Sequence, residues 1–225
     1  MPGTSMCPVC QKTQLRGQYK LVHGACSKCC KEEVHKLGRP ELLVKAQLEA
    51  AGFKSIIHNK TDPRTKTTVS AMRADFRIVK EECEYDIVIE IDEEQHRAHP
   101  LSAEMERVMT MVRASGDRPH IIFRLNPDQY HNAGGKQARG VTAQQYKDAL
   151  QTRVQYLLER IKVREDKMHR RKGANKSFHM PVVYMEYLFF DTASQHPDYQ
   201  LVSPRQYKSL AELEKYVAKL KAAGK

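Results

Sequence analysis

The sequence predicts a mixed α/β layer architecture, and three observations predict it. Helical and extended patterns alternate along the chain, the extended segments are rich in β-branched residues, and 40% of the 225 residues are hydrophobic, enough for a buried core. The length corresponds to roughly 1.5 domains at about 150 residues each. Lys and Arg exceed Asp and Glu by 38 to 27, a net charge of +11, and the pI is near 9.4. An excess of that size points to a polyanionic partner, most simply nucleic acid. No stretch approaches the roughly 18 apolar residues of a membrane span, so no membrane partner is expected. The first ten residues, MPGTSMCPVC, lack a charged-then-apolar leader, so an intracellular rather than secreted protein is expected.

In chain order, five of the six cysteines come first: Cys7, Cys10, Cys26, Cys29 and Cys30. Cys7, Cys10, Cys26 and Cys29 form a C-x2-C-x15-C-x2-C frame, within zinc spacing. Two residues between cysteines let both thiolates reach one tetrahedral ion, and four thiolates close its shell, so the zinc is expected to be structural. Disulfides are the alternative, and Cys30 could replace Cys29; His23 and His35 are outside candidates. The fifteen residues between the pairs suggest a short hairpin with Gly17 and Gly24 at turns. Residues 1–36 carry six cations and two anions; a ribbon of that charge, zinc thiolates included, could touch phosphates.

Gly38-Arg39-Pro40 ends this segment. Residues 40–53 form a predicted helix, with Pro40 at its first turn, Leu42, Leu43, Ala46 and Ala50 at helical spacing, and Gly52 as the stop. Residues 58–72 read as a polar loop. Strands follow at 73–79 and 85–92, then a helix over 102–115 with a serine at its start as N-cap candidate. Another strand covers 119–126. A long helix is predicted over 142–164, with Tyr146, Leu150, Val154, Leu157, Leu158 and Ile161 as its apolar face. Across residues 160–176 there are eight cations and two anions. A continuous apolar strand, expected to be central, covers 181–191, and a last helix ends the chain. The predicted organisation is a zinc-binding ribbon at 1–36, a core at 37–132, and a basic helical and strand extension at 133–225 that completes the core.

The chemistry concentrates in Arg73-Ala74-Asp75-Phe76 and Ile89-Glu90-Ile91-Asp92-Glu93-Glu94-Gln95-His96. Residues two apart on a strand share a face, so Glu90 and Asp92 project to the same side. If the strands at 73–79 and 85–92 pair as a hairpin, Asp75 approaches both. Clustered carboxylates on a buried sheet repel, and one of them must take up a proton unless a cation is present. Mg²⁺ or Mn²⁺ would relieve that penalty while keeping several of its waters. Gln95 and His96, just past the strand, stand where a general base or a phosphate contact is useful. A solvated acidic strand end is the bland alternative.

These residues, with Glu104-Met105-Glu106-Arg107 and Ile121-Ile122-Phe123-Arg124-Leu125-Asn126-Pro127-Asp128, resemble the PD-(D/E)XK restriction-endonuclease-like superfamily. The branch most resembled is the one near the very-short-patch repair and homing endonucleases. The resemblance covers roughly residues 40–130. It implies a restriction-endonuclease-like mixed sheet flanked by helices, and a metal-dependent DNA endonuclease. It implies Asp75, Glu90 and Asp92 as Mg²⁺ ligands, Glu41 joining the metal shell from the first helix, and His96 as general base. Arg107 and Arg124 match motif arginines that could contact nucleic acid, with Glu104 and Asn126 as their companions and structural roles equally open. The sequence departs from the family at Asp92, where the name motif carries a lysine. A catalytically inactive nuclease-fold binder is therefore the alternative, and a zinc-stapled module docking on protein is a third reading. Arg170, Arg171 and Lys172 in the basic run are expected to grip a phosphate backbone, adding affinity independent of sequence. Cys83 and His99 read as bystanders, and the methionines at 105, 109 and 111 as core. Oligomeric state is open.

Overall fold

A computed structural model of the chain describes residues 4–6, 13–15, 40–60, 73–79, 85–93, 100–128, 143–174, 180–190 and 205–224. Of residues 4–6, 13–15, 143, 145 and 169–174 it describes the backbone alone. Cys7, Cys10, Cys26, Cys29, Cys30, Cys83, His23, His35, His96 and His99 lie outside the described residues. So do residues 61–72 of the loop expected at 58–72, and the helix start at 142.

Two short strands, β1 (Thr4–Met6) and β2 (Thr13–Leu15), pair antiparallel, with Thr4 opposite Leu15. The segment joining them carries Cys7 and Cys10. The expected hairpin lay between the two cysteine pairs; in the structure β2 finds its partner before the first pair.

The rest is an α/β architecture: a six-stranded mixed sheet flanked by helices. Its strands run in chain order, β3 (Ile56–His58), β4 (Phe76–Val79), β5 (Asp86–Ile91), β6 (His120–Leu125), β7 (Val183–Leu188) and β8 (Arg205–Tyr207). β5, β6 and β7 are parallel, and the pairs β3–β4, β4–β5 and β7–β8 are antiparallel. The parallel strands are buried on both faces, which is why their sequences are nearly continuous apolar runs.

Helices α1 (Pro40–Ala50) and α3 (Ala143–Ala174) cover one face; α2 (Leu101–Ala114) and α4 (Leu210–Ala222) cover the other. Ile87, Ile89 and Ile91 of β5 pack toward α1 and α3 with Val44, Leu48, Leu150, Val154 and Leu157. Val88 packs toward α2 and α4 with Met105, Val108, Val112, Leu213 and Val217. The crossovers β5–α2–β6 and β6–α3–β7 advance in the same direction along the sheet but pass over opposite faces. They are therefore of opposite hand, and one departs from the usual right-handed rule.

Helix ends differ from the sequence reading in three places. α1 stops at Ala50 rather than at 53. α2 begins after Pro100, whose extended backbone accepts from Ala103 and Glu104 N–H groups, so Ser102 lies inside the helix and is not its cap. α3 runs ten residues past its expected end at 164, because its Lys, Arg and Glu residues are strong helix formers. Ser209 caps α4, accepting from Glu212 N at 3.2 Å. Among the described residues no helix is long and apolar enough to cross a membrane.

Candidate functional site

The even-numbered residues of β5 face α2, and three of the four positions from 86 to 92 are acids. The fold supplies each with an arginine. Asp86, fully buried, meets Arg118 Nε at 3.0 Å and Arg77 Nη1 at 3.6 Å. Asp92, also fully buried, binds Arg124 by both oxygens, at 2.5 Å from Nε and 2.9 Å from Nη2. Arg124 comes from the neighbouring parallel strand, where it stands beside Glu90, and it reaches on to Glu104 of α2 at 2.6 Å. Burial opposes the charge on Arg124, but its contacts with Asp92 outweigh that, and its pKa rises.

Two residues with expected roles sit in an ion-pair setting here. Asp92 was expected as a metal ligand, yet both its oxygens are taken up by a forked guanidinium. Arg124 was expected to touch nucleic acid, yet it is 2% exposed and locked in this triad. Asn126 is likewise structural: its amide donates to Phe189 O at 2.8 Å and its oxygen accepts from Asp128 N at 2.9 Å. Arg153 Nη1 donates to the Asn126 and Asp128 carbonyls.

Glu90 and Asp75 differ from these acids. Glu90 is 4% exposed and leans on Arg107 of α2, with Nη2 at 2.9 Å from Oε1 and 3.2 Å from Oε2. The guanidinium thus meets both carboxylate oxygens, as an ion pair at Oε1 and a hydrogen bond at Oε2. Burial first, then the nearby Asp75 and Asp92 charges, push the Glu90 pKa up to about 7 against the pull of Arg107. Asp75 precedes β4 at the rim of the sheet, and the antiparallel register continued one step sets it opposite Glu90. Its Oδ2 accepts from Ile91 N at 2.6 Å, and its carbonyl accepts from Asn59 N. Burial raises its pKa too; the Ile91 N–H opposes the rise and Glu41 adds to it.

At this rim, groups from both faces act on Asp75: Glu41 from the first turn of α1 and Arg107 from α2. His58 of β3, read in the sequence as the start of a loop, also stands here. Its Nε2 is 3.6 Å from Glu41 Oε2. No sequence signal marks His58, because a three-residue edge strand is defined by its partner. Among Asp75, Glu90, Asp92 and Glu104, four acids face two arginines, Arg107 and Arg124, an excess of two negative charges. Among the described residues, no three His, Cys, Asp or Glu side chains converge as a ready-made metal cage. Mg²⁺ does not need one, since it is commonly held by one or two carboxylates and its own waters.

Elsewhere the basic run is partly spent within the fold. Arg160 binds Glu186 of β7 through Nε at 2.9 Å and Nη2 at 2.7 Å, and Arg164 adds a contact at 3.1 Å. Arg170, Arg171 and Lys172 lie on α3, their side chains outside the described residues. An open groove of about 880 Å³ lies at the other end of β4, lined by Phe53, Lys54, Val79, Glu159, Lys162 and Glu165. Its charges balance, whereas the acids at the rim do not, so the rim is the better candidate site. Comparisons of the chain with protein-family models, curated proteins and solved structures find no match.

Proposed function

We propose that this chain is a metal-dependent DNA endonuclease of the restriction-endonuclease-like kind. The single observation that carries the reading is the pairing of Asp75 and Glu90, with Arg107 as the one arginine in direct contact with either, at the carboxyl end of a buried parallel strand, where open α/β sheets bind their ligands. A buried Glu90 beside a half-buried Asp75, with an arginine in direct contact with Glu90 alone, favours a divalent ion. Asp75 and Glu90 would hold Mg²⁺ or Mn²⁺, with Glu41 joining through water. Such an ion activates water and offsets the charge of a phosphodiester in displacement. Asp92 takes a different part, anchoring Arg124 beneath Glu90. His96, four residues beyond, is the proposed general base. The order of one helix, three antiparallel strands, a helix and a strand, α1, β3–β4–β5, α2 and β6, is compatible with the restriction-endonuclease-like arrangement.

The net charge of +11 supports a nucleic-acid partner, with Arg170, Arg171 and Lys172 proposed to hold the backbone. Cys7, Cys10, Cys26 and Cys29 are proposed to bind a structural zinc. A second reading, a nuclease-fold binder without activity, is favoured by one observation. The position of the family lysine is an aspartate committed to Arg124.

Supercoiled plasmid incubated with Mg²⁺, Mn²⁺ or chelator separates the two. The endonuclease reading expects nicking with either ion, none with chelator, and loss in Asp75→Ala with salt-sensitive DNA binding retained. Binding without cleavage by the wild type selects the second reading; continued nicking by Asp75→Ala removes Asp75 from the mechanism.

A further inference from the structure

We propose that His58 is a positioning residue of the carboxylate site, holding Glu41 toward Asp75 in the outer shell of a divalent cation carried by Asp75 and Glu90. The inference rests on the reading of Asp75 and Glu90 as a cation site, and extends it to a residue outside the motif.

The geometry is specific. His58 pairs with Phe76 across β3 and β4, and its ring lies flat on the Phe76 ring, centroids 4.8 Å apart and planes 10° apart. That stack fixes the imidazole on the α1 side of the sheet. Its Nε2 is buried, has no hydrogen-bond partner, and lies 3.6 Å from Glu41 Oε2. The distance is just beyond hydrogen-bonding range, and such contacts often tighten only when a site is filled. Glu41 acts in turn on Asp75, whose main chain is tied to the residue after His58 through Asn59 N and Asp75 O at 2.9 Å. His58 and Asp75 are thus coupled twice, through backbone and through Glu41. An edge strand of three residues delivers one imidazole to one carboxylate, and Glu41 is the one group placed to engage the buried nitrogen among the described residues.

Outer residues that orient a metal-binding carboxylate commonly change affinity tenfold or more. The test is Mn²⁺ binding to the full chain, followed by the EPR signal of the free ion, alongside plasmid cleavage. His58→Phe keeps the stack on Phe76 and removes the nitrogen; His58→Gln restores a nitrogen donor. We expect His58→Phe to weaken Mn²⁺ binding about tenfold and His58→Gln to recover most of it. In a Glu41→Gln background, His58→Phe should add little, because the two residues act through one carboxylate. Mn²⁺ affinity unchanged in His58→Phe overturns the proposal. So do losses at the two sites that multiply, or a Gln variant as weak as Phe with an unchanged thermal melt. Wild type that binds Mn²⁺ but cleaves nothing removes the nuclease reading alone, leaving His58 judged by the EPR titration. Wild type that binds no Mn²⁺ overturns both.

Discussion

Glu90 and Asp92 are two buried acids two residues apart along and just past β5, each with an acid from another element beside it, and the fold treats the two groups differently. Asp92 is closed: Arg124 occupies both oxygens and reaches Glu104, and the three charged side chains sit together between sheet and helix α2. Glu90 and Asp75 are open: Arg107 serves Glu90 alone by direct contact, Asp75 has a backbone N–H, and burial pushes both acids toward their neutral forms. The difference teaches that acidity on a buried strand face is not itself a sign of chemistry. Where a guanidinium fork saturates the carboxylate, the acid is architecture. Where the arginines run short, the same face holds acids that burial pushes toward their neutral forms.

Breaking the closed group should have the largest effect. Arg124→Ala leaves Asp92 and Glu104 buried without their counter-ion, and should lower stability by about 3–5 kcal/mol in a denaturant melt. A loss below about 1 kcal/mol would erase the distinction between the two groups.

The open group is sharpened by pH. The Glu90 pKa is raised from 4.5 to about 7, so the folded state holds this proton more tightly than the unfolded chain. The penalty for ionising Glu90 is absent below about pH 4.5 and complete above pH 7. Its contribution to stability therefore falls across that window, by about 3 kcal/mol. Glu90→Gln should flatten that part of the pH–stability curve. Added Mg²⁺ should recover part of the loss in wild type and none in Glu90→Gln. A wild-type curve indifferent to both changes would place Glu90 with the closed acids.

The smallest effect is the solvent control. Arg113 and Glu214 form a 2.5 Å pair between α2 and α4, but both are largely exposed. Arg113→Ala should cost less than about 1 kcal/mol, and salt should shrink even that. A loss approaching that of Arg124→Ala would mean that burial does not set the scale.

Several elements were legible because their signals are local. β5 and β6 are runs of β-branched residues, and α2 and α4 carry apolar residues at helical spacing. The apolar face of α3 lies where its periodicity places it, with Tyr146, Leu150, Val154, Leu157 and Ile161 buried. β3 and β8 were not legible. Each has three residues, too few for a period, and each exists through pairing with β4 or β7. The basic run of α3 was misleading as a single charged surface, since Arg160 and Arg164 turn toward Glu186, over twenty residues away in the chain. The candidate site was half legible: Asp75, Glu90 and Glu41 stand in its motif, while His58 does not.

Taken alone, the amino-acid order determined which residues alternate on β5, and hence that Glu90 and Asp92 share a side. That follows from a backbone whose side chains switch face at every residue. Only the tertiary structure decided which acid would be neutralised. Arg124 arrives through parallel register with β6 and Arg107 through the packing of α2. Ion pairs depend on distances between segments remote in the chain, and no local periodicity encodes them.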